Sequence, residues 1–138
     1  MKMTKLYSGF PGTGKSHFFK YAEGVVLDSD SSNFDKEHFP QNYIDHIKEN
    51  IGKSDIICIS SHKEVRDALV DNGLHFTLIY PHISLRDEYI QRYIDRGSPQ
   101  GFIDLISKNW DSWVGELPNQ IGCKHLILNS GEFISDIV

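Results

Sequence analysis

The loop motif at residues 9–16 constrains this chain more than any other feature of its sequence. It reads Gly-Phe-Pro-Gly-Thr-Gly-Lys-Ser and fits the pattern G-x-x-x-x-G-K-[ST] at every fixed position. A strand-like run precedes it at residues 4–8, and a helix-like run follows it at residues 16–22. A strand, a glycine-rich loop and a helix in this order form the context in which such a loop binds phosphate.

Each fixed residue type in the motif has a physical reason. The glycines allow backbone conformations that a Cβ would forbid, so that successive N–H groups can turn toward an anion. Lys15 can reach the β- and γ-phosphates of a nucleoside triphosphate, and the Ser16 hydroxyl can ligate Mg²⁺. The motif therefore predicts a nucleotide-binding loop. The residues that we assign to it are Gly9, Pro11, Gly12, Thr13, Gly14, Lys15, Ser16 and His17.

The composition indicates one globular unit. A chain of 138 residues with 39% hydrophobic and 24% charged residues can bury one core, so we expect a single domain over residues 1–138. The net charge of −5 argues against sequence-independent binding along a nucleic acid, although a local patch can still hold such a substrate. No apolar run approaches the roughly 18 residues of a membrane span, and no signal-peptide region is evident. We expect a cytoplasmic protein without a membrane partner, and the oligomeric state stays open.

Strand-like and helix-like segments alternate along the chain. This alternation predicts a three-layer α/β/α fold whose parallel sheet has about five strands. The run at residues 56–59 is continuously apolar, so we expect it at the centre of the sheet. Ligands in such sheets bind at the carboxyl ends of the strands. The predicted strands cover residues 4–8, 25–30, 56–59, 75–80 and 125–128, and a short tail follows the last of them.

Two amphipathic helices are predicted over about residues 84–117, where we expect a short helical lid. Ser84 is expected to cap the first helix, and Ser98 is expected to cap the second. Trp110 and Trp113 fall on the apolar side of the second helix, which favours a place in the core for both. An exposed indole edge that stacks on a nucleobase is the alternative.

Carboxylates follow the second predicted strand and not the strand beside the loop. The strand at residues 56–59 leads into serines and His62, whereas switch and motor ATPases usually place an aspartate there. Asp28 and Asp30 occupy alternate positions, so both can face the cleft. Phosphoryl transfer to an alcohol needs a group that accepts the hydroxyl proton, and a carboxylate serves this role. We favour Asp28 as the base and assign Asp30 and His62 to acceptor binding, while capping roles in a solvated turn remain the alternative for the aspartates.

The first helix of the lid region carries three arginines on or near its apolar side. On a helical wheel Arg86 and Arg96 fall within the apolar arc and Arg92 lies at its edge, while the acidic residues lie opposite. This arrangement suits guanidinium groups that neutralise charge on a transferring phosphoryl group. The alternative is that the arginines lie on apolar surface and pair locally, as Glu88 and Arg92 can at i,i+4 spacing.

Together, the loop, the aspartates and the arginine helix resemble the small P-loop kinases, which include nucleoside and nucleotide kinases, shikimate-type kinases and the kinase half of polynucleotide kinases. The resemblance implies ATP as the phosphoryl donor and Mg²⁺ as the cofactor. It implies that Asp28 and Asp30 bind the acceptor hydroxyl and that Asp28 helps to hold Mg²⁺. It also implies that Arg86, Arg92 and Arg96 bind ATP phosphates, with catalytic roles for Arg92 and Arg96 beside Lys15.

A second resemblance concerns the segment from Tyr80-Pro81, through Arg92 and Arg96-Gly97, to Asn109-Trp110-Asp111. It is similar to short phage-encoded kinases, a group that includes enzymes phosphorylating 5-hydroxymethyluracil within DNA. The implied acceptor is a hydroxyl of a nucleoside, a nucleotide or a hydroxymethylated pyrimidine in DNA. The chain is short for a long lid, and a reduced lid suits a bulky acceptor. The alternative function is a regulatory protein that binds or hydrolyses nucleotide and uses the arginine helix as a partner interface.

Overall fold

A computed structural model of the chain describes residues 4–14, 26–28 and 37–137. The strands are β1 (Lys5–Gly9), β2 (Val26–Asp28), β3 (Ile56–Ser60), β4 (Thr77–Pro81) and β5 (Lys124–Leu128). The helices in these ranges are α1 (Gln41–Asn50), α2 (Lys63–Asp71), α3 (Arg86–Asp95), α4 (Gln100–Glu116) and α5 (Ile134–Ile137). Short 3₁₀ turns precede α3 and follow α4, at Ile83–Leu85 and Leu117–Asn119. The helix predicted at residues 16–22 lies outside the described residues.

The strands form one sheet in the order β2-β3-β1-β4-β5, and every recorded pair is parallel. The prediction of an α/β fold with a parallel sheet is therefore confirmed. The middle strand is β1, whereas the apolar run of β3 was expected there. Strand β3 is interior, between β2 and β1, and a continuous apolar run is typical of any strand covered on both faces. Such a run therefore does not say which interior strand is the middle one.

The strand order explains where the helices lie. The connections from β2 to β3, β3 to β4 and β4 to β5 all run in one direction across the sheet. Right-handed crossovers place the helices of such connections on the same face. Accordingly, residues of α1, α2, α3 and α4 share one hydrophobic cluster with Leu6, Ile57 and Leu78 of the sheet. The connection from β1 to β2 runs in the opposite direction, so the topology switches at β1 and β3.

The opposite face of the sheet carries a smaller cluster. Tyr7, Cys58, Ile79 and Leu128 are buried there, and Ile134 of α5 packs against them. The chain after β5 was expected to be a short tail, but the structure gives it a place in the core. The apolar pair at residues 133–134 in a polar segment was the signal that was available for this packing.

The helix starts differ from the expected caps. His82 accepts a hydrogen bond from the Ser84 amide and so caps the 3₁₀ turn before α3. The Ser98 hydroxyl accepts from Arg96 Nε at 2.8 Å and caps no helix. In both cases a nearby side chain contacts the serine hydroxyl, His82 at Ser84 and Arg96 at Ser98.

The two tryptophans have different environments. Trp110 is 1% exposed, and its Nε1 donates to the Ile83 carbonyl at 2.7 Å. Trp113 is 39% exposed, so the expectation that both indoles are in the core was wrong for it. The apolar side of α4 is centred on Ile103, Ile106, Trp110 and Val114, and Trp113 lies at its margin.

Candidate phosphate-binding site

The loop that follows β1 lies at the switch point of the sheet. Strand β1 is flanked by β3 on one side and β4 on the other, and Gly9 is level with Ser60 and Ile79 in the register. Ligands of open parallel sheets bind outside the carboxyl ends of the strands at such a point. The described part of the motif, residues 9–14, therefore lies where the topology favours a ligand.

The loop has the backbone conformation that its glycines allow. Gly12 and Gly14 have φ angles of +88° and +94°, a region that L-residues with a Cβ rarely adopt. Thr13 is fully buried between them, and its hydroxyl donates to the Phe10 carbonyl at 2.7 Å. The Phe10 amide donates to the Ile79 carbonyl at 2.9 Å, which joins the loop to β4.

Four consecutive carbonyl oxygens of the loop, those of residues 10–13, accept hydrogen bonds from protein donors. The Phe10 oxygen accepts from Thr13. The Pro11 oxygen accepts from Tyr93 Oη at 2.7 Å, and the Gly12 oxygen accepts from Arg92 Nη1 at 2.8 Å. The Thr13 oxygen accepts from the Ile134 amide at 2.9 Å. The carbonyls are thus directed into the protein.

Two amide groups in the described part of the loop have no acceptor among the described residues. Within the described ranges, the N–H groups of Gly12 and Gly14 donate to no protein atom, whereas those of Phe10 and Thr13 do. Backbone N–H groups that no protein acceptor occupies can donate to an anion at such a loop. The arrangement of residues 9–14 can therefore hold phosphate oxygens.

Helix α3 packs directly against the loop through two buried tyrosines. A Cβ added to Gly12 would lie 2.9 Å from Tyr93 and 3.2 Å from Tyr89. Both rings are fully buried, and Tyr89 also contacts Trp110 with ring centroids 5.7 Å apart. Neither tyrosine was assigned to the site from the sequence, and their contact with the loop was not predicted.

Arg92 is the arginine that reaches the loop. Besides the Gly12 carbonyl, its guanidinium donates to Glu88 Oε2 and to the Glu132 carbonyl, both at 3.1 Å. The guanidinium carbon lies 4.3 Å from the Tyr89 ring centroid and 4.0 Å from that of Phe133. The local pairing of Glu88 with Arg92 is thus present, and the side chain of Arg92 is only 14% exposed.

The structure does not bring Arg86 and Arg96 to residues 9–14. Arg86 pairs with Asp87 and makes a long contact of 3.5 Å with the Ser107 carbonyl on α4. Arg96 is exposed, and its guanidinium lies 5.0 Å from the Tyr93 ring centroid. Arg86 and Arg96 lie at or just beyond opposite ends of α3, which is about 15 Å long for its ten residues. The three arginines therefore do not converge on one point.

The segment after β5 completes one side of the site. We call residues 129–134 the C-terminal strap. Glu88 on α3 binds it by accepting from the Gly131 amide at 3.0 Å and from the Ser130 hydroxyl. A Cβ added to Gly14 would lie 3.0 Å from the Phe133 ring, so the strap covers the loop closely. Sequence analysis did not assign any residue of the strap to the site.

Hydrogen bonding and burial shift the pKa values of side chains at this site, among them Glu88 and Tyr89. The Gly131 amide, the Ser130 hydroxyl and the charge of Arg92 lower the pKa of the Glu88 carboxyl. Burial raises the pKa of Tyr89 to about 12. Glu88 is therefore held as an anion in the strap contact, and the hydroxyl of Tyr89 is held neutral.

The end of β3 forms the other side of the switch point. The Ser60 amide donates to Tyr43 Oη at 3.2 Å, and Ser8 on β1 donates to the Ser60 carbonyl at 3.0 Å. The buried Arg66 holds the next residue by donating to the Ser61 carbonyl at 2.8 Å, and it pairs with Glu116. His62 is exposed and stands at the start of α2.

Several predicted site residues lie outside the described residues, namely Lys15, Ser16, His17 and Asp30. The backbone of Asp28 ends β2 and is level with Cys58, two residues before the register position of Ser60 and Gly9. Within residues 4–14, 26–28 and 37–137, no cluster of three His, Cys, Asp or Glu side chains is placed to hold a metal ion. In the same ranges no helix has the length and apolar character needed to cross a bilayer.

A comparison of the chain with models of known protein families gives no match, and a comparison with curated proteins gives none either. The class that the coordinates define is therefore an α/β protein with a parallel sheet and a glycine-rich loop at its switch point.

Proposed function

We propose that this chain is a P-loop kinase that transfers the γ-phosphoryl group of ATP, with Mg²⁺, to an acceptor hydroxyl. The observation that supports the proposal most strongly is the hydrogen bonding of the loop at residues 9–14. Its carbonyls are bonded to protein donors, while the amides of Gly12 and Gly14 have no acceptor in the described ranges. The sequence continues this loop with Lys15 and Ser16, as the phosphate-binding motif requires.

Each step of the proposed reaction is assigned to residues of this chain. Lys15 and the loop amides bind the phosphates of ATP. Ser16 and Asp28 supply a hydroxyl and a carboxylate oxygen, which are ligands that Mg²⁺ accepts, and the bound ion would neutralise phosphate charge. Asp28 accepts the proton of the acceptor hydroxyl while the oxygen of that hydroxyl bonds to the γ-phosphorus. The bond from that phosphorus to the bridging oxygen breaks, and ADP leaves with the bridging oxygen.

The position of β2 supports a role for its final residue. Strands β2 and β1 are two strand spacings apart. At 4.7–4.9 Å for each spacing, the distance between them is about 10 Å. Strand β3 lies between them and extends two residues beyond the level of Asp28, so the acceptor hydroxyl and the phosphoryl group are proposed to lie beyond the end of β3. Asp30 and His62 are then the proposed acceptor contacts, and a nucleoside, a nucleotide or a hydroxymethylated pyrimidine in DNA is the proposed acceptor.

The test is transfer of label from [γ-³²P]ATP to parallel acceptors: nucleosides, nucleotides, DNA 5′ ends and DNA that contains 5-hydroxymethyluracil. We expect one acceptor class to be labelled, with no labelling by Lys15→Ala. Asp28→Asn should bind ATP as the unchanged protein does and transfer at least about 100-fold more slowly, since general-base catalysis contributes that much. An Asp28→Asn protein with undiminished transfer would contradict the assignment of the base.

The hydrogen bonds that Arg92 makes within the protein favour a second function. Its guanidinium is bonded and stacked within the protein, so it does not offer a free cation to a transferring group. A protein that hydrolyses ATP slowly and uses α3 as a partner interface does not need such a cation. Hydrolysis in the same assay, with no acceptor labelled across the panel, would favour this regulatory function over the kinase.

A further inference from the structure

Tyr93 and Arg92 contact the loop through the carbonyl oxygens of Pro11 and Gly12. We propose that both are positioning residues, which hold the loop in its anion-binding shape, and that the charge of Arg92 acts on the loop and not on the transferred phosphoryl group. The effect on ATP rests on the proposed function, whereas the effect on the loop itself does not.

The geometry of the peptide bond links the carbonyl contacts to the free amides. In a trans peptide the C=O of one residue and the N–H of the next point in opposite directions. The peptide bonds of residues 10–14 are trans. A hydrogen bond that holds the Pro11 carbonyl therefore orients the Gly12 amide, and one that holds the Thr13 carbonyl orients the Gly14 amide. These are the two loop amides without an acceptor in the described part of the chain.

Tyr93 controls the first of these peptides. Its hydroxyl donates to the Pro11 carbonyl at 2.7 Å, and its ring lies against Gly12. The ring is fully buried and packs edge-on against Phe102, with centroids 5.3 Å apart. Burial raises the pKa of the Tyr93 hydroxyl, so it stays protonated and remains a donor. The side chain is thus a rigid donor at a fixed point of the loop.

The guanidinium of Arg92 links the loop to the C-terminal strap. One guanidinium nitrogen holds the Gly12 carbonyl, and the other holds the Glu132 carbonyl of the strap. Rings cover the guanidinium, with Tyr89 and Phe133 both within 4.3 Å of its central carbon. The strap in turn supplies the Ile134 amide that holds the Thr13 carbonyl. Turning Arg92 toward a bound nucleotide would leave two carbonyls unpaired and would break both stacks.

The chain offers a matched control for Tyr93. Tyr89 lies four residues earlier on α3, is equally buried and also lies against Gly12, but its hydroxyl makes no hydrogen bond to residues 9–14. Tyr93→Phe removes a hydroxyl that donates to the loop, whereas Tyr89→Phe removes one that makes no hydrogen bond to residues 9–14. Both variants keep the ring, so the packing against Gly12 is preserved in each.

The first measurement is amide hydrogen exchange in the nucleotide-free protein, which needs no activity. We expect faster exchange at residues 10–14 in Tyr93→Phe and unchanged exchange in Tyr89→Phe. The second measurement is the Kd of inorganic triphosphate, which reports on the loop without a nucleobase. Loss of one hydrogen bond should raise it about 3- to 10-fold in Tyr93→Phe only. Equal exchange and equal Kd in the two variants would overturn the positioning role.

Arg92→Met separates positioning from charge stabilisation. Since the side chain is proposed to shape the ground-state site, KM for ATP should rise while kcat stays within about 3-fold of its original value. A cation on the transferring group would instead lower kcat by about 10³ or more, and that result would overturn the inference. If the unchanged protein binds neither triphosphate nor ATP, the proposed function fails, and the exchange comparison still decides the role of Tyr93.

Discussion

The backbone of Gly12 has two separate reasons to exclude a side chain. Its φ of +88° disfavours any L-residue, and an added Cβ would lie 2.9 Å from the buried Tyr93 ring. We expect Gly12→Ala to lower the free energy of unfolding by about 2 kcal/mol or more, from backbone strain and overpacking together. Gly97→Ala is the control, because Gly97 has a φ of +77° and a Cβ added there would meet no described residue within 4 Å beyond its chain neighbours. Denaturant unfolding should show a smaller loss for Gly97→Ala, and equal losses would contradict the close packing on Gly12.

The carboxylate of Glu88 makes stability depend on pH. Its pKa is lowered in the folded protein by the Gly131 amide first, then by Ser130 and Arg92. A group with a lowered folded pKa stabilises the protein above its ordinary value of 4.5, and this stabilisation is lost as pH falls through the folded pKa. We expect the melting temperature of the unchanged protein to fall more steeply below about pH 4.5 than that of Glu88→Gln. Parallel curves for the two proteins would show that the strap contact does not hold Glu88 ionised.

Helix α3 and the C-terminal strap both pack against the loop. Phe133 is 37% exposed, yet its ring stacks on Arg92 and closes the space above Gly14. We expect Phe133→Ala to cost about 1–2 kcal/mol of stability through the lost stack and buried area. Gly14→Ala should cost less in the Phe133→Ala background than in the unchanged protein, since the ring 3.0 Å from the added Cβ is then gone.

A double-mutant cycle measures this difference. The coupling between the two substitutions should be about 0.5–3 kcal/mol, as for other residues in direct contact. The strain from the φ of +94° at Gly14 remains in both backgrounds and cancels. Additive losses would mean that the strap does not lie on the loop.

The elements also show what the sequence could and could not predict. The pattern of apolar residues predicted the strands, because burial on one face or on both repeats along an element. The strap was not predictable in this way, since its role depends on contacts with α3 and the loop that are distant in sequence. The predicted strand at residues 75–80 ends before Pro81, whereas Pro81 is the last residue of β4. Proline can occupy this place because the next amide, that of His82, donates to the Leu128 carbonyl.

The candidate site was predictable to a similar degree. The loop motif identified residues 9–14, because the phosphate-binding conformation needs glycines at fixed spacing. The wheel of α3 indicated that Arg92 leans toward the protein, but it could not tell a phosphate from the Gly12 carbonyl as its partner. The hydroxyl of Tyr93 was missed because an apolar arc records the ring and not its polar end.

For the whole molecule, the topology places the loop, the end of β3 and the end of β2 along one edge of the sheet. The proposed function depends on residues 9–16 binding a triphosphate at the carboxyl ends of these strands. The most direct measurement is calorimetric titration with ATP and Mg²⁺, followed by competition with inorganic triphosphate and with adenosine. We expect ATP to bind, triphosphate to displace it, adenosine to compete poorly, and Lys15→Ala to lose binding while it stays folded. ATP binding that adenosine displaces as well as triphosphate does, or that survives in Lys15→Ala, would contradict the account.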